Sequence, residues 1–379
     1  MMRRLGREGV LAMAVAVSVT ACGSGGSQVP AVSPLAAVSG PTVPYKLGTF
    51  ERGGETLVGL VLRDTQVVDI TQANRAFQAG NASAATLASP AGLIEIIEKY
   101  DAGWKDRLVE IAKAIPATGA PAYVYEMASL KALPPIRPRL LLNAGGNYSE
   151  HSQGIAANQA RQGQPEAATT PAVSAPGIWE RPANDPRDNP YLFLKSPTVV
   201  IGATDPIEMP RGRDRIDFEC EFVTVIGKPA KYVSVSAAAD HIFGYSIEID
   251  VSDRGGRGDR KMGGSDWLVG KNHDTFGPLG PVIVPKEFLP NPTNTRHTFT
   301  LNGEVMQDSN TSRMDYNVFE LLSYASNILT LNPGDMIAGG SPAGTNIERA
   351  DPRWMRAGDK AVCSIEGIGQ QVHEVVAAR

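Results

Sequence analysis

The sequence predicts an α+β, mostly β protein in which a small α+β domain precedes a larger β-rich one. Three observations carry this. A length of 379 residues suits one large or two medium domains. The 39 glycines and 28 prolines favour many turns and short strands over a helical bundle. Beyond residue 190, short runs rich in Val, Ile and Phe recur between glycines and prolines, with one clear helix among them. Apolar types make up 42% and charged types 20%, which excludes a wholly disordered chain. With 36 basic and 40 acidic residues the formal charge is −4, so no basic excess points to nucleic acid.

The chain opens with a basic segment containing Arg3, Arg4 and Arg7, followed by an apolar stretch from Val10 to Val19. That stretch is too short for a spanning helix and suits the core of a signal peptide, assigned to residues 1–21. Val19-Thr20-Ala21-Cys22-Gly23 resembles a bacterial lipoprotein signal, with Cys22 as the lipidated residue. Residues 22–42, rich in Gly, Ser, Pro, Ala and Val, then read as a flexible tether. The expected location is the bacterial cell envelope, facing the periplasm or exterior, with membrane contact through the lipid anchor only. Cys220 and Cys363 lie in apolar, strand-like runs and read as buried free thiols; two cysteines permit one disulfide but make no scaffold.

The small domain is placed at residues 43–128. Lys46–Phe50, Glu55–Asp64 and Thr65–Thr71 read as strands separated by Gly-Gly and Asp-Thr turns. Two amphipathic helices are expected near Gly92–Tyr100 and Trp104–Ile115, with Leu93, Ile96 and Ile97 on one face of the first and Leu108, Ile111 and Ala112 on one face of the second. Pro116 closes the second. Ser129–Pro138, with its prolines, reads as a linker. The larger domain is placed at 139–379. Its polar stretch 158–190, rich in Gly, Pro, Ala and Asn, is expected to be a long loop or lid. The segment Arg254–Asp266 is charged and glycine-rich and reads as a second flap. The clear helix is expected at Tyr316–Leu329.

Asp217-Phe218-Glu219-Cys220-Glu221-Phe222 is the stretch that points to chemistry. In a strand, residues two apart share a face, so Glu219 and Glu221 project together while Phe218, Cys220 and Phe222 point into a core. Neighbouring carboxylates repel unless a cation joins them, and carboxylate oxygens suit hard divalent ions. An acidic solvent face on an edge strand has the same pattern. Asp250, ending a second strand, would complete an oxygen-donor set. Lys271 is a candidate to hold a substrate carboxylate or enolate. Glu150-His151 is a candidate base dyad, with the carboxylate setting the imidazole tautomer. The turn Gly339–Thr345 is glycine-rich and carries hydroxyls, but matches no P-loop or dinucleotide spacing.

From about Asn143 to Val376 the chain resembles the fumarylacetoacetate hydrolase family through its C-terminal catalytic domain. Six segments agree in order: Asn147–His151 with NYxxH, Phe218–Glu221 with (Y/F)ExE, and Gly244–Arg254 with GYxxxxDxSxR. Lys271 with Gly277–Pro281 matches K…PxGP, Asn302–Thr311 matches NGExxQxxxT, and Leu331–Asp335 with Ser341–Gly344 resembles LxPGDxIxTGTPxG. The resemblance implies a mixed β-sheet roll, usually dimeric, so a homodimer is expected.

It further implies that Glu219, Glu221 and Asp250 bind Mg²⁺, with Mn²⁺ and Ca²⁺ as alternatives. His151, held by Glu150, would be the general base, and Lys271 would stabilise an enolate or bind the substrate carboxylate. Arg254 and Gln307 would orient substrate, and Ser341 would stand where Thr is usual. The implied function is divalent-metal-dependent hydrolysis of C–C bonds in acylpyruvates or 1,3-diketo acids. The alternatives are a 2-keto acid decarboxylase or keto–enol isomerase, or a non-catalytic envelope lipoprotein that binds a metal or small ligand. Asn143 and Ala144 stand near the family's additional N-terminal Asp ligand, which argues against the tyrosine-degradation enzyme itself.

Overall fold

A computed structural model describes residues 33–163, 178–179, 185–257 and 266–378. Ser33–Arg379 form one compact unit. Its N-terminal part is a five-stranded antiparallel sheet ordered Val124–Glu126, Gln66–Asp69, Glu55–Leu62, Lys46–Arg52, Lys131–Ala132. Gly53 and Gly54 make the first hairpin turn with φ of 59° and 86°, the left-handed conformation a two-residue hairpin loop requires. Gln66–Asp69 is shorter than the expected strand because Asp69 caps a helix: its carboxylate accepts the Gln72 N–H at 3.0 Å. That helix, Ile70–Gly80, is not evident from the sequence, since two of its four buried apolar positions are alanines, Ala73 and Ala76, beside Ile70 and Phe77. The two expected helices occur as Leu93–Glu98 and Lys105–Ala114. Ser129–Pro138 is not a free linker, because Lys131 and Ala132 pair with Glu51 and Phe50 at the sheet edge.

Two further sheets form the roll. The first has six strands, ordered Val284–Pro285, Ile242–Ile249, Cys220–Ile226, Met336–Ala338, Leu141–Gly145, Tyr191–Lys195. It is mixed: Met336–Ala338 runs parallel to Leu141–Gly145, and the other pairs are antiparallel. The second has five strands, ordered Glu304–Asn310, Arg296–Leu301, Lys360–Ile365, Gly369–Val376, Ile207–Glu208. The helix Val318–Ile328 is set by a capping box in which the Asn317 side chain accepts the Glu320 N–H and Glu320 accepts the Asn317 N–H. The result is the expected fold class, a mixed-sheet roll preceded by a small α+β part.

The two roll sheets meet through residues flanking the acidic pair. Phe218 stacks on Phe299 with ring centroids 4.2 Å apart. Cys220 and Cys363 are joined in a disulfide across 143 residues, which corrects the expectation of free thiols. The register places Cys363 opposite Phe299, so one strand of the second sheet offers a ring and its neighbour a sulfur to the same face of the first. Sequence alone sees two distant cysteines in apolar strands; only the stacking of the sheets makes them neighbours.

The polar stretch 158–190 begins inside a helix, Ser149–Arg161, rather than a loop. Residues 164–177 and 180–184 of that expected lid, and 258–265 of the expected second flap, lie outside the described residues.

A disulfide closing so long a loop restricts the unfolded chain. Replacing both Cys220 and Cys363 by Ala should therefore lower unfolding free energy by about 2–4 kcal/mol in denaturant titrations. Thiol counting on the denatured, unreduced chain should find one reactive cysteine. An unchanged midpoint, or three reactive thiols, would remove the bridge from the account of stability.

Candidate active site

Strand alternation delivers the acidic pair as expected. Phe218 and Cys220 face the second sheet, and Glu219 and Glu221 face the opposite way. The Asp250 N–H donates to the Glu219 carbonyl at 2.8 Å, tying the end of the strand Ile242–Ile249 to the start of Cys220–Ile226. One carboxylate oxygen from each of Glu219, Glu221 and Asp250 lies within 4.8 Å of the others, and all three residues are buried. A three-carboxylate set of this kind is the donor chemistry a hard divalent cation takes.

Cations from three other elements converge on the same oxygens. Lys271 Nζ donates to Glu219 Oε2 at 2.6 Å, Asp250 Oδ2 at 2.5 Å and Ser252 Oγ at 2.8 Å. It ends the short helix Trp267–Lys271, whose N-terminus is capped by the Asp266 carboxylate. Arg254 reaches Glu219 with Nη2 and Asp217 with Nε, the latter at 3.3 Å. Lys195, which the sequence reading missed, places Nζ 2.6 Å from Asp250 Oδ1 and is itself buried. Its signal lay in the strand Tyr191–Lys195, where Phe193 and Lys195 are the buried alternate positions and a lysine ends an apolar face.

The charges are unevenly shared. Burial pushes the Glu219 carboxyl up, but Arg254, Lys271 and His151 together hold it well below the usual range. Burial pushes Glu221 well above that range, and the neighbouring charges of Asp250, Glu248 and Glu219 push the same way. Glu248, opposite Glu221 in the sheet register, is raised to about 7 by burial, against the lowering effect of Lys195. The Asn143 amide donates to Glu248 Oε2 at 2.9 Å, so this Asn sits beside the cluster as a hydrogen-bond donor. Five buried carboxyls, with Asp217 on Arg254, thus share three cations, and the shortfall falls on the Glu221 side. An added divalent ion among Glu219, Glu221 and Asp250 fits that imbalance.

His151 and its neighbour part company. Consecutive helical residues point about 100° apart. Glu150 turns outward, is exposed, and is held by Arg313 at 2.7 Å through both oxygens. The expected Glu150–His151 dyad is therefore not formed. His151 instead places Nδ1 2.5 Å from Glu348 Oε1 and Nε2 3.8 Å from Glu219 Oε1. Glu348 is fixed in turn by the Thr345 hydroxyl at 2.8 Å and by the N–H groups of Gly344 and Thr345. It lies nearly 200 residues from His151 in sequence, and no local spacing could have found it. Gly154, one turn along the helix from His151, makes the room: a Cβ there would come within 2.7 Å of Glu348 Oε2.

The turn after Met336–Ala338 supports the cluster from below. The Gly340 N–H donates to Glu221 Oε2 at 2.8 Å from a backbone with φ of 89°, which favours glycine. Gln307, expected to orient substrate, spends both ends of its amide internally. Its Oε1 accepts the Cys220 N–H at 3.0 Å, and its Nε2 donates to Ser341 Oγ at 2.9 Å and Pro342 O at 2.8 Å. Ser341 is buried in that same link. Both residues position the turn. Asp217 does likewise for the next segment, accepting the N–H groups of Asn346 and Ile347 at 2.9 and 3.2 Å and so placing Glu348.

A family model described as "Fumarylacetoacetate (FAA) hydrolase C-terminal" matches residues 143–376, more than half of the chain. The protein is 39% identical over 189 residues to "Oxaloacetate tautomerase FAHD2A, mitochondrial" of Bos taurus; this covers 49% of the chain and 59% of that relative. Among solved structures, fumarylacetoacetate hydrolase from Exiguobacterium antarcticum superposes with a TM-score of 0.64 at 26% identity, covering 88% of this chain and 100% of that one. The 5-carboxymethyl-2-hydroxymuconate delta-isomerase from Mycobacterium smegmatis superposes with a TM-score of 0.59 at 25% identity, covering 88% and 99%.

The relatives correct the expected address. Curated proteins named as mitochondrial, from Bos taurus and Homo sapiens, conflict with a bacterial lipoprotein anchored through Cys22 and facing the periplasm or exterior. They overturn the signal peptide, the lipid anchor, the membrane partnership and the envelope location. Cys22 and the expected signal lie outside the described residues. Among the described residues no helix is long and apolar enough to cross a membrane. The family match, the superposed folds and the buried carboxylates with their facing histidine lead to one conclusion: the chain belongs to the fumarylacetoacetate hydrolase family.

Proposed function

We propose that the protein is a divalent-metal-dependent keto–enol tautomerase of a small 2-keto acid. The observation that carries this is the imidazole of His151, with Nδ1 on Glu348 and Nε2 turned toward Glu219 of the three-carboxylate cluster. The tautomerase reading is supported by relatives 35–39% identical whose names are oxaloacetate tautomerases. Glu219, Glu221 and Asp250 would hold the ion, with Mg²⁺ as first choice and Mn²⁺ or Ca²⁺ as alternatives. When bound, such an ion polarises a keto-acid carbonyl and stabilises the enolate.

The chain's own groups complete the proton traffic. With its Nδ1–H donated to Glu348, His151 has Nε2 free as an acceptor on the substrate side. It takes the proton from the carbon next to the ketone, and Glu348 stabilises the imidazolium that results. Lys271 spends its three N–H groups on Glu219, Asp250 and Ser252, and its positive charge beside the cluster favours the oxygen on which charge develops. Arg254, already between Asp217 and Glu219, holds Glu219 ionised and is available to a substrate carboxylate. Tautomerisation asks for no more than this: His151 takes the proton from carbon and, as the imidazolium, returns it to the oxygen, and no bond between carbons breaks. C–C hydrolysis is the second reading, since the same histidine could activate water, and the similar structure from Exiguobacterium antarcticum is named a hydrolase.

Following the enol absorbance of oxaloacetate decides between them. Protein stripped with a chelator should be inactive and should recover on addition of Mg²⁺ or Mn²⁺, and Glu221→Gln should abolish that recovery. Acylpyruvate cleavage without any acceleration of oxaloacetate tautomerisation would establish the hydrolase instead. The same assay separates the two glutamates. His151→Ala should cost about 10²–10⁴-fold in kcat, the usual worth of a general base. Glu348→Gln should lose about 10–100-fold, as loss of an orienting partner does. Glu150→Gln should stay within about twofold, as for a surface change. Equal losses in the Glu150 and Glu348 variants would overturn the assignment of roles.

A further inference from the structure

A polar cavity of about 270 Å³ opens beside the site, between the second half of the helix Ser149–Arg161 and the segment Asn346–Trp354. Its wall includes Arg215, Arg254, Asn346, Arg349 and Trp354, and no aspartate or glutamate is among its lining residues. Three arginines therefore line one small space. Arg254 is the shared wall, since its guanidinium also contacts Asp217 and Glu219. Arg215 lies over the Trp354 ring at 5.3 Å, which braces a planar cation without neutralising it. Arg349 donates to the Gly344 carbonyl at 3.3 Å, a neutral acceptor. Neither Arg215 nor Arg349 has a carboxylate partner among the described residues.

Asn346 supplies an independent observation. It is fully buried, its Oδ1 accepts the Arg353 N–H at 2.7 Å, and its Nδ2 has no partner. Asn346 lines a cavity whose charged lining residues are all arginines.

We propose that this cavity binds a small carboxylate, recognised by Arg215 and Arg349 alongside Arg254. Its placement links it to catalysis. Asn158, on the cavity wall, is seven residues from His151 on one helix, which is two turns or about 10 Å. The chemistry has two possible sources. One is the second carboxylate of a dicarboxylic keto acid whose other end lies at the metal cluster. The other is a separate carboxylate metabolite that steadies the helix carrying His151. The first source rests on the proposed keto-acid chemistry; the binding site itself does not.

Succinate is the probe. Titrated calorimetrically into the full chain after chelator treatment, at constant ionic strength, it should bind. The double variant Arg215→Gln with Arg349→Gln should weaken binding at least tenfold, and the Lys counterparts should recover part of it. Matching thermal melts show that the variants fold. Succinate that fails to bind, or binds the Gln variant equally well, overturns the site. This arm needs no turnover, so it reads independently of the tautomerase assay. In that assay, a raised KM for oxaloacetate with kcat and the KM for a monocarboxylic keto acid unchanged identifies the substrate's second carboxylate. Succinate that alters the rate on the monocarboxylic substrate without competing identifies a separate ligand.

Discussion

Burying three carboxylates within 4.8 Å of one another is the constraint around which the rest of this fold is arranged. Each ion loses its hydration and repels the others, a cost of several kcal/mol per charge unless partners are supplied. The fold supplies them from separated parts of the chain. Lys195 comes from an edge strand, Arg254 from the segment after a strand end, and Lys271 from a short helix. Gly340 adds a backbone N–H, and a histidine stands opposite. None of these groups has room to move independently, because each also serves a second contact. Lys195 is bonded to the Phe276 carbonyl, Arg254 to Asp217, and Asp217 to the backbone that carries Glu348.

The disulfide and the aromatic stack serve the same end from the other side of the strand. Phe218 and Cys220 alternate with Glu219 and Glu221, so fixing the first pair against the second sheet fixes the direction of the second pair. A slip of one residue would bury the carboxylates in the hydrophobic interface and turn the rings toward the site. Gln307 reinforces the register, since its carbonyl takes the Cys220 N–H while its amide holds the turn at Ser341 and Pro342. Structural and chemical demands on this strand are therefore inseparable.

Legibility in the sequence follows the range of the physical signal. The metal-type carboxylates could be read because strand alternation is local and Asp250 falls at the end of a recognisable strand. The capping box at Asn317 and Glu320 is equally local, and the helix it starts was expected close to its observed bounds. The Ile70–Gly80 helix was missed because its buried face is small, and Lys195 because one lysine after an apolar run resembles a surface residue. Adjacency misled at Glu150-His151: neighbours in sequence are not neighbours around a helix.

Sequence by itself determined the alternation that pairs Glu219 with Glu221, the apolar runs that build the sheets, and the ordered motifs that mark the family. These depend on periodicities of two or 3.6 residues and on short turns, which any reader of the chain can trace. Only the tertiary structure decided which carboxylate holds His151, which cysteines join, and how five buried carboxyls share three cations. Those outcomes depend on distances between elements that are 50 to 200 residues apart in the chain, and on which side chains the packing of sheet on sheet leaves facing one another.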